Sequence, residues 1–162
     1  MNGTIGEKGA GERTPLLVML LTAAGVLMAD LVTKRLVEAN LLLGQTIPII
    51  PDVFHLTRVA NPGAAFGLFP VGPVALAAVA ALVAVVILVV GPVLARNSSV
   101  LRLGLGLQLG GALGNLVDRL RIGLVTDFLD FRFWPVFNIA DMAIVAGAGL
   151  LVLGYFKTTG RS

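Results

Sequence analysis

Long apolar runs with few polar interruptions dominate this chain. No charged residue occurs between Arg58 and Arg96, and Gly72 to Ala95 is 24 residues of nearly pure Ala, Val and Leu. At a rise of about 1.5 Å per residue, about 20 residues cross a hydrocarbon core of roughly 30 Å. The run therefore predicts a transmembrane helix at 72–95. Further spans are predicted at 15–37, at 101–119 and at 139–156. The third is rich in small residues, and spacings such as Gly106-x-x-x-Gly110 and Gly110-x-x-x-Gly114 let helix backbones approach closely. A cleavable signal peptide over 13–30 is the rival reading of the first run. Against it, the apolar pattern continues through Asp30 to Val37 with no Ala-x-Ala-like site followed by a soluble body.

Four spans place both termini on one side. Residues 1–14 read as a flexible polar tail, 15–156 as a single membrane domain and 157–162 as a second short tail. Arg96 and Arg102 flank the second connection without an acid, and Lys157 and Arg161 lie in the C-terminal tail, whereas 38–71 and 118–138 mix both signs. Basic residues favour the cytoplasmic side, so both termini are expected there. On the opposite side, Gln45–Ile50 and Val53–Ala60 are β-branched and punctuated by Pro48 and Pro51, which predicts brief strands. Phe128, Phe131, Phe133, Trp134 and Phe137 read either as an interfacial aromatic belt or as part of a small platform lying on the membrane. The expected class is an all-α polytopic membrane protein, four transmembrane helices with a small extracytoplasmic β-platform.

Composition agrees. Hydrophobic residues make up 57% of the 162, charged ones 13%, and glycine adds 20 more. With a mean hydropathy of +0.95, a soluble domain and a disordered chain are both excluded, because so small a body cannot bury this much apolar surface. It must be solvated by membrane lipids. The formal charge is +3, but the 12 basic residues form no dense stretch, so nucleic acid is not an expected partner. The absence of cysteine removes disulfides, thiolate catalysis and thiolate-bound metals.

Ionisable residues in such spans cost at least about 2.5 kcal/mol at mid-bilayer and need a reason. Asp30 and Lys34 are four apart, on one helix face, and read as an ion pair. Asn115, Asp118 and Arg119 cluster at the end of the third span, suited to hydrogen-bonding a neighbouring loop. Asp141 lies one turn beyond Asn138 at the start of the fourth span, and Asp127 follows the third. Chain direction lets Asp127 and Asp141 face each other. Two carboxyls held together in a dry site share one proton, which gives an acid and a base for amide hydrolysis. The competing reading is a helix-capping Asp and a solvated loop Asp. Other chemistries are poorly supplied. Ser98, Ser99 and Ser162 are expected on one side of the membrane and the only histidine, His55, on the other, so no Ser-His pair forms. No His-Glu-x-x-His and no Gly-x-x-x-x-Gly-Lys-[Ser/Thr] occurs, so neither a metal nor a cofactor is expected.

Five blocks then carry a family resemblance over about residues 15–156. They are Asp30-x-x-Thr33-Lys34; Asn61-Pro62-Gly63-Ala64-Ala65-Phe66-Gly67; Gly110 to Arg119; Val125-Thr126-Asp127-Phe128; and Phe137-Asn138-Ile139-Ala140-Asp141. In this order the chain resembles the lipoprotein signal peptidases, the bacterial type II signal peptidases. The resemblance implies an aspartyl endopeptidase of the bacterial inner membrane with its active site near the extracytoplasmic face. It implies catalysis by Asp127 and Asp141, and substrate-binding or supporting roles for Asn61, Gly111, Asn115, Arg119 and Asn138. Asp30, Lys34 and Asp118 are then structural polar contacts. The implied substrates are prolipoproteins cut just before a diacylglyceryl-modified cysteine, and globomycin-type cyclic peptides are the implied inhibitors. Thr126 stands where an aliphatic residue is commoner, Met142 where a small one is common, and only 13 residues separate the two aspartates. The alternatives are a small proton-coupled transporter or channel subunit, which calls for carboxylates nearer mid-bilayer, and a packing protein, which leaves Asp127 and Asp141 without a role.

Overall fold

The computed structural model describes residues 7–63 and 72–159. The elements are α1 (Glu7–Asn40), β1 (Thr46–Ile50), β2 (Phe54–Asn61), α2 (Pro73–Leu94), α3 (Ser99–Ile122), β3 (Val125–Asp130) and α4 (Ile139–Thr159). Four stretches are long and apolar enough to cross a bilayer: Leu16–Asn40, Pro73–Leu94, Ser99–Ile122 and Ile139–Lys157. The protein is a multi-pass membrane protein. Residues 1–6, 64–71 and 160–162 lie outside the described residues, and with them Ala64 to Gly67 of the Asn61 block.

Helix α1 begins at Glu7, so it takes in residues 7–14 of the segment read as a polar tail. Once a long span has nucleated a helix, each added residue gains a hydrogen bond without a new nucleation cost, so the helix runs on past the apolar region.

Helix α3 is the hub. Half of its spanning window is buried, against about a fifth in each of the others. Its glycines make this possible by admitting neighbouring backbones. A Cβ on Gly110 would lie 2.6 Å from the Ala23 carbonyl oxygen of α1, and one on Gly111 2.5 Å from the Ala140 carbonyl oxygen of α4. The core cluster of Met19, Ala23, Ala84, Ile87, Leu105 and Leu109 joins α1, α2 and α3. Outside it, large apolar side chains such as Val74, Val89 and Val145 are more than two-thirds exposed, as lipid-facing positions are.

At one end of the bundle sits an antiparallel sheet ordered β1-β2-β3. The two expected strands are present. The third, β3, was not foreseen, because two acids in six residues mask its Val, Thr and Phe content. Arg58 of β2 docks the sheet on α1 by donating to the Glu38 and Leu41 carbonyls at 3.2 and 2.8 Å, which satisfies orphan acceptors at the helix end. The aromatic stretch divides between its two readings. Phe131 stacks on Phe137 at 5.9 Å and meets Phe54 at 5.0 Å, while Phe133 and Trp134 stand 83% and 64% exposed.

Candidate active site

The site forms where the sheet meets the bundle. Strand β3 is pinned immediately before Asp127. The Thr126 N–H donates to Asp118 Oδ2 at 3.0 Å and its hydroxyl to Glu38 Oε1 at 2.8 Å. Thr126, one of the unusual positions in the sequence, thus ties β3 to α1. Val59 of β2 pairs with Asp127, and Asn61, two residues further, donates to Asp127 Oδ2 at 2.8 Å. Asp141 comes from the first turn of α4. Asn138 caps that helix, its Oδ1 accepting the Asp141 N–H at 2.9 Å. Its Nδ2 then reaches Asp127 Oδ1 at 2.6 Å. Asn115 of α3 donates to Asp141 Oδ1 at 2.7 Å and accepts from Asn138 at 3.2 Å. One amide network therefore holds both carboxyls.

Each amide is turned by what its oxygen accepts. Asn61 Oδ1 takes the Gly63 N–H at 2.7 Å in a tight turn that Gly63 permits with φ +82°. Asn138 Oδ1 is fixed by the helix start, and Asn115 Oδ1 by Lys34 Nζ at 3.1 Å. In all three the NH₂ is left to face a carboxylate.

Asp127 is 1% exposed. Burial pushes its carboxyl up to about 6, and the nearby Asp141 charge adds to this against the opposing amide bonds from Asn61 and Asn138. Asp130, three residues on, goes the other way. Burial opposes its ionisation, but donors from Thr57 and Arg132 outweigh that and hold it below the usual value. The guanidinium of Arg119 is half-buried within electrostatic range of Asp127 and Asp141, and donates to the Asn115 carbonyl at 3.3 Å. A groove of about 530 Å³ runs beside Asp141. It is lined along α4 by Met142, Val145 and Ala146 and from the β3–α4 connection by Phe131, Phe133, Trp134 and Phe137.

Below this network lies a second one. Lys34 pairs with Asp30 at 2.7 Å and Asp118 at 3.2 Å, all three at most 1% exposed. Asp30 Oδ1 also accepts the Ala140 N–H at 2.9 Å, a second cap on α4 from a residue 110 positions away. Arg121 bonds Glu38 and Asp118. Of the residues singled out in the sequence, Asn61, Asn115, Asn138, Asp127 and Asp141 come together in one network, with Arg119 beside it. Gly111 does not reach the carboxyls, because it faces the Ala140 carbonyl within the α3–α4 contact. Glu38 and Thr126 were missed as supports, since nothing in their spacing links residues 88 apart. Among the described residues, no three His, Cys, Asp or Glu side chains converge as metal ligands.

The family model for signal peptidase (SPase) II matches residues 22–157. The chain belongs to that family. Signal peptidase II is a protease, so membership makes the chain an endopeptidase and leaves the transporter reading without support. The chain is 46% identical to the lipoprotein signal peptidase of Pelotomaculum thermopropionicum, covering 89% of this chain and 95% of that protein. It is 51% identical to the lipoprotein signal peptidase of Moorella thermoacetica, covering 82% and 88%. A solved structure described as a bacterial membrane enzyme, at 27% identity, superposes with a TM-score of 0.82 over 89% of this chain and 90% of its own.

Proposed function

We propose that Asp127 and Asp141 are the catalytic pair with which this signal peptidase II removes signal peptides from prolipoproteins. The bond cut is the amide just before a diacylglyceryl-modified cysteine. One observation carries the reading. Two carboxyls share a single amide network, and among the described residues neither forms an ion pair. One carboxyl keeps a proton and donates it to the scissile carbonyl oxygen. The other takes a proton from water as the water attacks the carbonyl carbon. Collapse of the tetrahedral intermediate sends a proton to the leaving amine, and the pair returns to its starting state. Arg119 stands beside the pair where negative charge develops on the oxygen. Asn61, Asn115 and Asn138 hold the carboxyls, and the groove beside Asp141 supplies an apolar wall for acyl chains. Asp30, Lys34 and Asp118 serve as structural contacts.

The positive-inside pattern supports a placement with both termini in the cytoplasm and the sheet on the outer face of a bacterial inner membrane. The body from 15 to 156 then acts as one domain, and globomycin-type cyclic peptides occupy the same site. The test is incubation of the purified protein in lipid with a diacylglyceryl-modified prolipoprotein and with its unmodified precursor. Signal-peptide release from the first alone supports the reading. Equal cleavage of both would remove the lipid from the recognition scheme.

A further inference from the structure

The three amides that hold the carboxyls are not turned by equivalent means. Asn61 and Asn138 are set locally, by backbone N–H groups two and three residues away. Asn115 is set from another helix, by a buried ammonium 81 positions earlier in the chain.

The Lys34 ammonium lies 2.7 Å from Asp30 and 3.2 Å from Asp118 as ion pairs, and it donates a hydrogen bond to Asn115 Oδ1 at 3.1 Å. Two carboxylates are more than enough to answer one ammonium, and Asp118 also has Arg121. The bond to Asn115 is therefore not needed for charge balance. What it does is fix an amide. With Lys34 and Asn138 both donating to Oδ1, Asn115 can present only its NH₂ to Asp141 Oδ1, at 2.7 Å. Turned over, it would set a carbonyl oxygen against a carboxylate oxygen. Asp141 is also the more exposed of the two carboxyls and the one that lines the groove. Among the described residues, its Oδ2 accepts no hydrogen bond.

We propose that Lys34 is a positioning residue for the reaction, acting through Asn115 to hold Asp141 by Oδ1 so that Oδ2 is presented to the substrate. This rests on the reading of Asp127 and Asp141 as the catalytic pair. Arg119 of α3 and Asp127 of β3 act on Asp141 electrostatically, whereas Lys34 reaches it through an amide whose orientation it sets.

Removing Lys34 alone strands two buried acids, so the test uses a compensated pair, Asp30→Asn with Lys34→Met. Asn at position 30 keeps the acceptor for the Ala140 N–H, and Asp118 keeps Arg121. The expected result is a kcat lower by about tenfold to a hundredfold, the cost of a carboxylate displaced by a fraction of an ångström, with KM within about twofold. The same pair is then made in an Asn115→Ala background, where it should change kcat by less than about twofold, because the amide it acts through is gone. Unfolding midpoints of all four proteins are measured alongside, and if the compensated pair does not accumulate the cycle is run with Lys34→Gln. A full loss of kcat repeated in the Asn115→Ala background would overturn the proposal and leave Lys34 a purely structural ion. Asp127→Asn is assayed in parallel. Its retaining activity would instead overturn the catalytic pair itself, so the two failures are told apart.

Discussion

Two pairs of aspartates lie within one connected network in this protein, and they are opposites in electrostatic design. Asp30 and Asp118 have an ammonium between them, at 2.7 and 3.2 Å. Among the described residues, the hydrogen bonds that reach Asp127 and Asp141 come from amides, those of Asn61, Asn138 and Asn115, and Arg119 acts on them only from a distance. A cation between two buried carboxylates offsets their charge, and their positions become fixed points for the chain. Asp30 caps α4, and Asp118 anchors β3 one residue before Asp127. Amides donate hydrogen bonds but bring no net charge, so burial and the nearby Asp141 charge raise the cost of ionising Asp127. A proton is then held where it can be given away. The first pair builds the scaffold, and the second is the pair proposed for acid–base work.

The sharpest way to break this contrast is to replace either carboxyl of the second pair. Asp127→Asn and Asp141→Asn should each lower cleavage by more than the roughly 10²–10⁴ typical of acid–base catalysis, while the protein still accumulates and unfolds cooperatively. Combining them should be scarcely worse than either, because the two act as a unit. Near-normal turnover in a folded Asp127→Asn protein would end the assignment.

Lys34→Met, made alone, attacks the other pair. It leaves Asp30 and Asp118 buried without their ammonium, and breaking a buried ion pair from one side costs about 3–5 kcal/mol. Denaturation in detergent should show that loss in Lys34→Met and not in Asp127→Asn. Equal stabilities would mean that the lower cluster carries no structural weight.

The smallest effect concerns pH. Asp127, raised from 3.8 to about 6, holds a proton in the folded state between about pH 4 and 6 that the unfolded chain has already released. Folding stability should therefore fall as pH rises through that window, by about 3 kcal/mol relative to Asp127→Asn, and level off above it. Asp130, whose carboxyl is lowered, acts in the opposite sense and is common to both proteins, so it cancels in the difference. A difference independent of pH would show that Asp127 ionises without penalty and that the two pairs are not opposites.

Much of this was legible before any coordinates. The four spans follow from hydropathy, because a bilayer demands a continuous apolar run and tolerates few exceptions. Asp30, Lys34, Asp127 and Asp141 stood out for the same reason, as ionisable groups in or beside such runs. The pair at 30 and 34 could be read as an ion pair because helical periodicity places i and i+4 together. Strand β3 was not legible. Its pairing with β2 depends on residues more than 60 positions away, and two acids in six residues break the pattern that marks a strand. The helical start of α1 before residue 15 was also hidden, since it depends on propagation from the span rather than on its own composition.

The sequence by itself determined that the chain spans a membrane four times, which family it resembles, and which side chains are too costly in lipid to be there without a partner. Those are local properties, set by transfer free energy and by residue order along one chain. Only the tertiary structure decided that Asp118 shares the Lys34 cation and that Asp127 and Asp141 receive amides. Hydrogen-bond direction decided this. Gly63, the first turn of α4 and Lys34 each occupy one asparagine oxygen and so turn its NH₂ toward a carboxylate. Such an orientation is fixed only when groups from different elements meet, because an amide rotated by half a turn has the same composition and spacing but the opposite electrostatics.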